Sequence, residues 1–290
     1  MRALREQIGP ADERHVWESF LLDSIRQAPL PDFLLYGEPY PALNAIVLTP
    51  SEHQQLTSLT ERFAGIFRKA ILALAHDAAA LERMGFPWIA IELLQHEPVD
   101  RLPLLGRFDF LLDRAGRWQL LEYNADTPSG VRETVRVEPL IVRHLQPFLP
   151  HIPNGTAHHL AALLCQEFGA ALQHEDRSPV TLGIITDTGY SEDLAQTVFA
   201  ARLLHSALEA DGVHVLFGDI DNLVFSRGRL CLFGAALDAL YRYFPFEAML
   251  GLEAFADLFQ AVLTGKLNLL NGLGGLLAQN KGLLVWLWQH

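Results

Sequence analysis

Residues 107–124, RFDFLLDRAGRWQLLEYN, contain two short apolar runs separated by a polar segment. The runs are rich in Phe, Leu, Trp and Tyr, which favour β-strands, and the segment DRAG (113–116) is typical of a tight turn. The sequence therefore predicts a β-hairpin. If the loop consists of these four residues, Leu112 pairs with Arg117, and the pairing continues along both strands.

Four polar side chains interrupt the apolar runs: Arg107, Asp109, Glu122 and Asn124. Side chains alternate between the two faces of a strand, and directly opposed residues share a face. A four-residue loop therefore places all four polar side chains on one face. The apolar side chains then lie on the opposite face: Phe108, Phe110, Leu121 and Tyr123. A loop of three or five residues would split the polar set between the faces.

Carboxylate and amide oxygens are typical ligands of hard cations. Mg²⁺ keeps several waters and is usually shared with substrate phosphates, so two or three protein oxygens suit it better than a closed cage. Asp109, Glu122 and Asn124 are therefore candidate metal ligands, and the forked guanidinium of Arg107 suits a phosphate or a carboxylate. The alternative is an ordinary solvated face on which Arg107 and Glu122 form a cross-strand ion pair.

A small, hydroxyl-rich segment, TPSG (127–130), follows the second predicted strand at once. Small residues allow a ligand to approach the backbone closely. Thr127 and Ser129 provide hydroxyl groups beside the candidate metal ligands, so both are candidates for contact with a ligand.

The second half of the chain alternates strand and helix patterns, which is typical of an α/β protein. The apolar run VTLGIIT (180–186) predicts a buried strand, and residues 191–212 predict the helix after it, with Ser191 as its cap. Two further strands are expected at 214–220 and 228–234. Apolar residues at helical spacing predict helices in three other segments: 11–28, 51–82 and 157–174.

Composition restricts the class of function. The formal net charge of the 290 residues is −12 and no basic stripe occurs, so a nucleic-acid partner is not expected. Charges and glycines interrupt the apolar stretches, and the N-terminus lacks a signal-peptide core. We therefore expect no membrane partner, and we expect a cytoplasmic location. Cys165 and Cys231 are too few for a disulfide framework or a structural zinc site.

Two linked motifs indicate a family. RFDF (107–110) followed by LLEYNADTPSG (120–130) resembles the glutathionylspermidine synthase-like family of circularly permuted ATP-grasp ligases. Weaker blocks occur in the order of that family: 39–56, 81–87, 189–204, 238–250 and 277–288. The resemblance implies an α/β fold with a mixed sheet flanked by helices, in a pre-ATP-grasp or partial ATP-grasp architecture whose hairpin carries the metal-side residues.

Four regions are expected in this architecture. They are a mainly helical N-terminal region (1–100), the metal-site hairpin with its following helix (101–155, with a connector at 150–155), an α/β substrate region (156–265) and the start of an ATP-grasp nucleotide-binding region (266–290). The family continues beyond the position of His290. The resemblance therefore implies that this chain is C-terminally incomplete.

The implied activity is that of an ATP-dependent carboxylate–amine ligase of the peptide–polyamine type, which uses Mg²⁺ and forms an acyl phosphate. The resemblance assigns the metal to Asp109, Glu122 and Asn124. It assigns the ATP phosphates to Arg107 and Lys281, with Arg107 also catalytic. A small peptide and an amine are the expected substrates.

Four residues are expected to contact the substrates: Thr127, Ser129, Glu192 and Glu247. The last of these lies in YFPFEAM (243–249), where two phenylalanines stand at positions usually occupied by Trp in the family. The aromatic bulk is kept, but the change leaves the identity of the substrate open.

The alternative function is a non-catalytic peptide- or metal-binding module, or interaction module, derived from the same fold. The segment LLNGLGGLLAQNKGLLVWLWQH (269–290) is strongly apolar. Its Leu, Val and Trp side chains are expected on the surface of a helix, and an apolar surface of that size predicts self-association or a partner chain.

Overall fold

The computed structural model of the chain describes residues 2–4, 10–27, 34–35, 38–39, 45–96, 103–147, 157–172, 179–251 and 255–290. The connector predicted at 150–155 lies outside these residues. No helix in the described residues is both long enough and apolar enough to cross a membrane.

The N-terminal part of the chain contains short paired strands and several helices. The strands form two antiparallel pairs, β1 with β4 and β2 with β3: β1 (Arg2–Leu4), β2 (Leu34–Leu35), β3 (Glu38–Pro39) and β4 (Ala45–Val47). The helices are α1 (Pro10–Gln27), α2 (Pro50–Leu74), α3 (Ala78–Arg83) and α4 (Trp88–His96). The first three overlap the segments predicted to be helical, whereas α4 was not predicted.

Side-chain caps set the starts of these helices. Thr49 and Glu52 form a capping box at the start of α2, in which each side chain accepts a hydrogen bond from the other residue's backbone N–H. The single helix predicted over 51–82 is wrong, because the chain turns after α2. Asp77 then starts α3, since its carboxylate accepts a hydrogen bond from the backbone N–H of Ala80 at 2.9 Å.

A hairpin, a π-helical turn and two helices follow: β5 (Arg107–Leu112), β6 (Trp118–Asn124), the π-helical turn Glu133–Val137, α5 (Glu138–Leu145) and α6 (Ala157–Leu172). Phe20 of α1 packs with Leu140 and Leu145 of α5. This small cluster connects the first helix to the segment after the hairpin.

A parallel sheet forms the centre of the α/β part. The predicted strand–helix–strand unit is present as β7 (Val180–Thr186), α7 (Ser191–Leu208) and β8 (Val213–Asp219). A small antiparallel sheet follows β8 and consists of β9 (Leu223–Ser226), β10 (Arg229–Leu232) and β11 (Ala235–Ala236). The parallel sheet is completed by β12 (Ala239–Tyr243) and β13 (Asn268–Leu269), and its strand order is β13-β12-β7-β8.

Apolar side chains cover both faces of the parallel sheet. On one face, Ile184 and Tyr241 pack with α6 and α7. On the other face, Ile185 and Leu240 belong to the cluster that includes the N-terminal helices. Arg242 lies two residues after Leu240 in β12, so the alternation of the strand places it on this second face. The α/β fold class predicted from the sequence is confirmed.

Helices surround β13 in the last part of the chain: α8 (Phe246–Met249) and α9 (Phe255–Leu263) precede it, and α10 (Leu273–Gln279) and α11 (Lys281–Gln289) follow it. Leu277 of α10 and Leu283 of α11 are completely buried in the cluster of the second sheet face. The apolar C-terminal segment is therefore less exposed than predicted. Gly275 lies so close to the carbonyl oxygen of Ala125 that no side chain would fit, which places α10 directly against the segment after β6.

Candidate functional site

The loop of the hairpin is longer than predicted. Leu112 pairs with Trp118, not with Arg117, because the backbone N–H of Asp113 donates to the carbonyl oxygen of Arg117 at 2.9 Å and closes a five-residue loop. DRAG does form the turn: the N–H of Gly116 donates to the carbonyl oxygen of Asp113 at 3.0 Å, and Gly116 has a φ of 76°. By itself, this odd loop length would separate the polar side chains.

A β-bulge reverses the effect of the longer loop. The register shifts between Asp109 and Phe110, so Phe110 pairs with Leu120 whereas Asp109 pairs with Glu122. Leu121 is the extra residue, and it is 51% exposed, which corrects the prediction that it lies on the apolar face with Phe108 and Tyr123. The four polar side chains of the hairpin therefore do lie on one face, but through a register that the sequence did not predict.

The opposite face of the hairpin rests on helix α2. The rings of Phe108 and Tyr123 are stacked with centroids 4.0 Å apart, and both contact Phe67 of α2. Burial raises the pKa of the Tyr123 hydroxyl to about 12. This aromatic packing anchors the hairpin and leaves its polar face accessible.

Arg107 forks onto Asp109 on the polar face. Its Nε and Nη2 donate to the two carboxylate oxygens of Asp109 at 2.7 and 2.9 Å. Its Nη1 donates to the carbonyl oxygen of Ser129 at 3.1 Å and to Ser129 Oγ at 3.0 Å. The bond to Asp109 raises the pKa of Arg107. The structure therefore brings the predicted residue Ser129 to the guanidinium.

Glu122 pairs with a lysine from the far end of the chain. The side chain of Asn280 accepts a hydrogen bond from the N–H of Gly282 at 2.7 Å and caps α11, so Lys281 is the first residue of that helix. Lys281 Nζ lies 2.5 Å from Glu122 Oε2. This bond, followed by one from Asn124, lowers the pKa of Glu122.

The two carboxylates converge on one point. Asn124 Nδ2 donates to Asp109 Oδ2 at 3.2 Å and to Glu122 Oε1 at 2.9 Å, so one amide group lies between the two acids. A half-turn of that amide would place its oxygen at the same point. The described residues contain no cluster of three or more His, Cys, Asp or Glu arranged for a metal ion. Two accessible carboxylates and one amide oxygen nevertheless fit Mg²⁺, which needs few protein ligands.

The other predicted site residues do not join this group. Thr127 lies half-buried in the segment between the hairpin and the π-helical turn. Glu192 and Glu247 are exposed in the first turns of α7 and α8. Ser191 does not cap α7. The capping position is Tyr190, whose side chain makes no capping hydrogen bond.

Sequence reasoning missed a buried polar group beneath the hairpin. Asp126, Arg242 and Asn271 are all at least nine-tenths buried, and they connect the segment after β6 to the parallel sheet. The signal was present in ALYRYF (239–244), since a charged residue inside a buried aromatic strand requires a partner. The identity of the partner could not be predicted from local sequence.

Comparison with known proteins gives the family. The sequence profile described as glutathionylspermidine synthase preATP-grasp matches residues 31–290. The chain belongs to this family. The resemblance inferred from RFDF and LLEYNADTPSG is therefore confirmed, together with the α/β fold of a pre-ATP-grasp region, and the family has a glutathionylspermidine synthase-like ligase fold.

A solved structure supports the same fold at much lower sequence similarity. The apo form of a glutathione synthetase-like effector from Globodera pallida superposes with a TM-score of 0.57 at 10% identity, covering 94% of this chain and 63% of that protein. The chain thus spans less than two thirds of that relative, and the likeness concerns the fold alone. No curated protein matches the chain in sequence.

Proposed function

We propose that the protein is an ATP-dependent carboxylate–amine ligase of the peptide–polyamine type, and that the polar face of the hairpin is its metal- and phosphate-binding side. One observation carries the proposal. Arg107 and Lys281, which come from distant parts of the chain, meet two carboxylates on one accessible face. A face with two cations and with two carboxylates that can bind a metal ion suits a metal-bound polyphosphate.

Asp109, Glu122 and Asn124 are the proposed metal ligands. When bound there, Mg²⁺ would supply positive charge that neutralises the charge developing on the transferred phosphoryl group. The side chains of Asp109 and Glu122 are 30% and 36% exposed, so they are open to an ion that keeps several waters.

Arg107 and Lys281 are the proposed phosphate ligands. In the reaction, a peptide carboxylate attacks the terminal phosphate of ATP and releases ADP, and an amine then displaces phosphate from the acyl carbon. Arg107 is placed to stabilise the transferred phosphoryl group, because its guanidinium already binds an oxyanion in a fork. Lys281 acts as a point charge on a flexible stem.

The substrate side is proposed to involve Thr127 and Ser129 beside the hairpin, with Glu192 and Glu247 as exposed acids for a cationic amine. Ser129 has the strongest support, because its hydroxyl already accepts a hydrogen bond from Arg107. A cytoplasmic location agrees with an ATP-consuming reaction.

Nucleotide binding by this chain tests the proposal. Asp109→Asn should weaken binding of ATP in the presence of Mg²⁺ by at least about tenfold, since even outer-shell partners of a metal contribute about 10–100-fold. Asp257→Asn, which changes an exposed acid in the first turn of α9, is the matched control and should have no effect. Titration calorimetry measures both. Equal ATP affinity for Asp109→Asn and wild type would exclude the proposed site.

A further inference from the structure

A buried ion pair connects the segment after β6 to strand β12. The side chains of Arg242 and Asp126 are 0% and 1% exposed, and both terminal nitrogens of the guanidinium donate to the carboxylate. Asn271 completes the group. Its Oδ1 accepts from the backbone N–H of Arg242 at 3.0 Å, and its Nδ2 donates to the carbonyl oxygen of Asp126 at 2.7 Å. We call Asp126, Arg242 and Asn271 the buried clamp.

The buried clamp holds the segment that contacts Arg107. Asp126 is three residues before Ser129, whose hydroxyl and carbonyl oxygens accept hydrogen bonds from Arg107 Nη1. The hydroxyl of Tyr243, the residue after the clamp arginine, donates to the carbonyl oxygen of Pro128 at 2.9 Å. Strand β12 thus fixes this segment at two adjacent points, and the location of the Arg107 guanidinium depends on it.

The buried clamp also holds both ends of the helix that leads to Lys281. Asn271 immediately precedes the N-cap residue of α10. At the other end, Gln279 Oε1 accepts from the backbone N–H of Asp126 at 3.1 Å. Gln279 lies two residues before Lys281, which reaches Glu122 on the hairpin face. One buried group therefore contacts both the segment that contains Ser129, a partner of Arg107, and the helix that precedes Lys281.

Stability alone is a poor explanation for such a group. Desolvation offsets much of the attraction within a buried ion pair, and an apolar replacement of similar volume is often as stable. Moreover, no described residue accepts a hydrogen bond from Nε of Arg242. What the clamp provides that an apolar core does not is a directional connection between β12, the segment after β6 and α10.

We propose that the buried clamp positions Arg107 and Lys281 at a fixed separation for binding a polyphosphate chain. The clamp residues touch neither metal nor phosphate in this arrangement, so they are positioning residues. The inference rests on the proposed function, because it assumes that the two cations bind nucleotide phosphates.

Binding of inorganic tripolyphosphate in the presence of Mn²⁺ tests this role without requiring turnover. Arg242→Lys keeps the buried charge and removes the two-point contact with Asp126. Mn²⁺ affinity alone should not fall, because strand pairing holds Asp109 and Glu122 together. It should rise by at most about fivefold, the gain expected when a displaced Lys281 no longer competes for Glu122. Tripolyphosphate affinity should fall about tenfold or more, since two charge-assisted contacts lose their geometry. Circular dichroism and thermal unfolding establish that the variant is folded.

Asn271→Ala provides a second variant that leaves the ion pair in place. It removes the side-chain links at the start of α10, whereas the ion pair and the bond from Tyr243 to Pro128 still hold the segment that contacts Arg107. Its effect on tripolyphosphate binding should therefore act mainly through Lys281. Combined with Lys281→Met, it should therefore add little to the loss caused by Lys281→Met alone. Full additivity of the two losses would contradict action through Lys281.

Arg229→Lys is the matched control. Arg229, the first residue of β10, pairs with Asp238 at 2.6 Å, and the two side chains are 27% and 11% exposed. This change should lower thermal stability only. If folded Arg242→Lys binds tripolyphosphate as tightly as the wild type, the positioning role is overturned and the proposed function stands. If the wild type shows no Mn²⁺-dependent tripolyphosphate binding, both are overturned.

Discussion

At the scale of single residues, the polar face of the hairpin carries two cations and two carboxylates. Arg107 forms an ion pair with Asp109, and Lys281 forms one with Glu122. A divalent ion that binds these carboxylates competes with both cations for the same oxygens. The bound metal ion would also free Arg107 and Lys281 to bind a phosphate chain. Binding of the metal and binding of the polyphosphate should therefore favour each other.

Lys281→Met tests this competition. Without the ammonium, Mn²⁺ alone should bind about two- to fivefold more tightly, because an accessible ion pair contributes only a modest free energy. In contrast, tripolyphosphate should bind more weakly in the presence of Mn²⁺, since one phosphate ligand is lost. Electron paramagnetic resonance of free Mn²⁺ measures the first effect, and calorimetry measures the second.

Lys266→Met controls for the change in net charge. Lys266 is exposed in the turn after α9, and the substitution removes the same charge from a surface outside the hairpin. An equal gain in Mn²⁺ affinity for both variants would mean that net charge, and not competition at Glu122, explains the effect.

At the scale of elements, the hairpin depends on its turn, and the turn depends on one carboxylate. Asp113 Oδ1 accepts hydrogen bonds from the backbone N–H groups of Ala115 and Arg117, both at 2.9 Å. The backbone of Arg117 contributes most to lowering the pKa of Asp113 below its ordinary 3.8. A lowered pKa in the folded protein means that the ionised carboxylate stabilises the fold above about pH 4, and that this contribution disappears as the pH falls through the lowered value.

Asp113→Asn should therefore lower the unfolding temperature at pH 7, and the difference from the wild type should shrink as the pH falls below about 4. Thermal unfolding followed by circular dichroism across this pH range measures the effect. Glu61→Gln, an exposed substitution within α2, serves as control and should show no such pH dependence. A difference that stays constant down to pH 2 would contradict the assignment to this carboxylate.

The β-bulge makes a second prediction for the hairpin. Leu121 is outside the ladder and 51% exposed, whereas Leu120 packs against the core. Leu121→Ser should change the free energy of unfolding by about 0.5 kcal/mol or less. Leu120→Ser should cost about 1–3 kcal/mol, because it removes a packed apolar side chain. Chemical denaturation measures both, and equal costs would exclude the bulged register.

The hairpin also indicates how much could be predicted from sequence. Strand composition and turn residues predicted the elements, and alternation predicted the shared face. However, the loop length is set by hydrogen bonds around Asp113, and the shared face also depends on the bulge at Leu121; no strand pattern encodes either. Residues far apart in sequence were harder still. Lys281 meets Glu122 across 159 residues and was assigned only through the family resemblance. Asp126 and Arg242 are 116 residues apart, so the charge in ALYRYF signalled a partner without identifying it.

At the scale of the whole molecule, the parallel sheet separates two apolar clusters, and the candidate site is built on one of them. The cluster on the α6–α7 side contains Phe168 and Tyr241. The other joins the N-terminal helices, the reverse face of the hairpin and α10 through residues such as Phe67, Tyr123 and Leu277. Because the hairpin and α10 share this second cluster, changes in its packing should reach Glu122 and Lys281 together.

Helix α11 exposes large apolar side chains on the surface of the molecule. Trp288 is 92% exposed and Val285, three residues earlier on the same face, is 59% exposed, whereas Leu283 is completely buried. Val285→Ser/Trp288→Ser should reduce concentration-dependent self-association with little change in stability, about 0.5 kcal/mol or less. Leu283→Ser, the control, should instead cost about 2–5 kcal/mol. Sedimentation velocity measures association, and a wild-type chain that stays monomeric at high concentration would exclude this surface as an interface between copies.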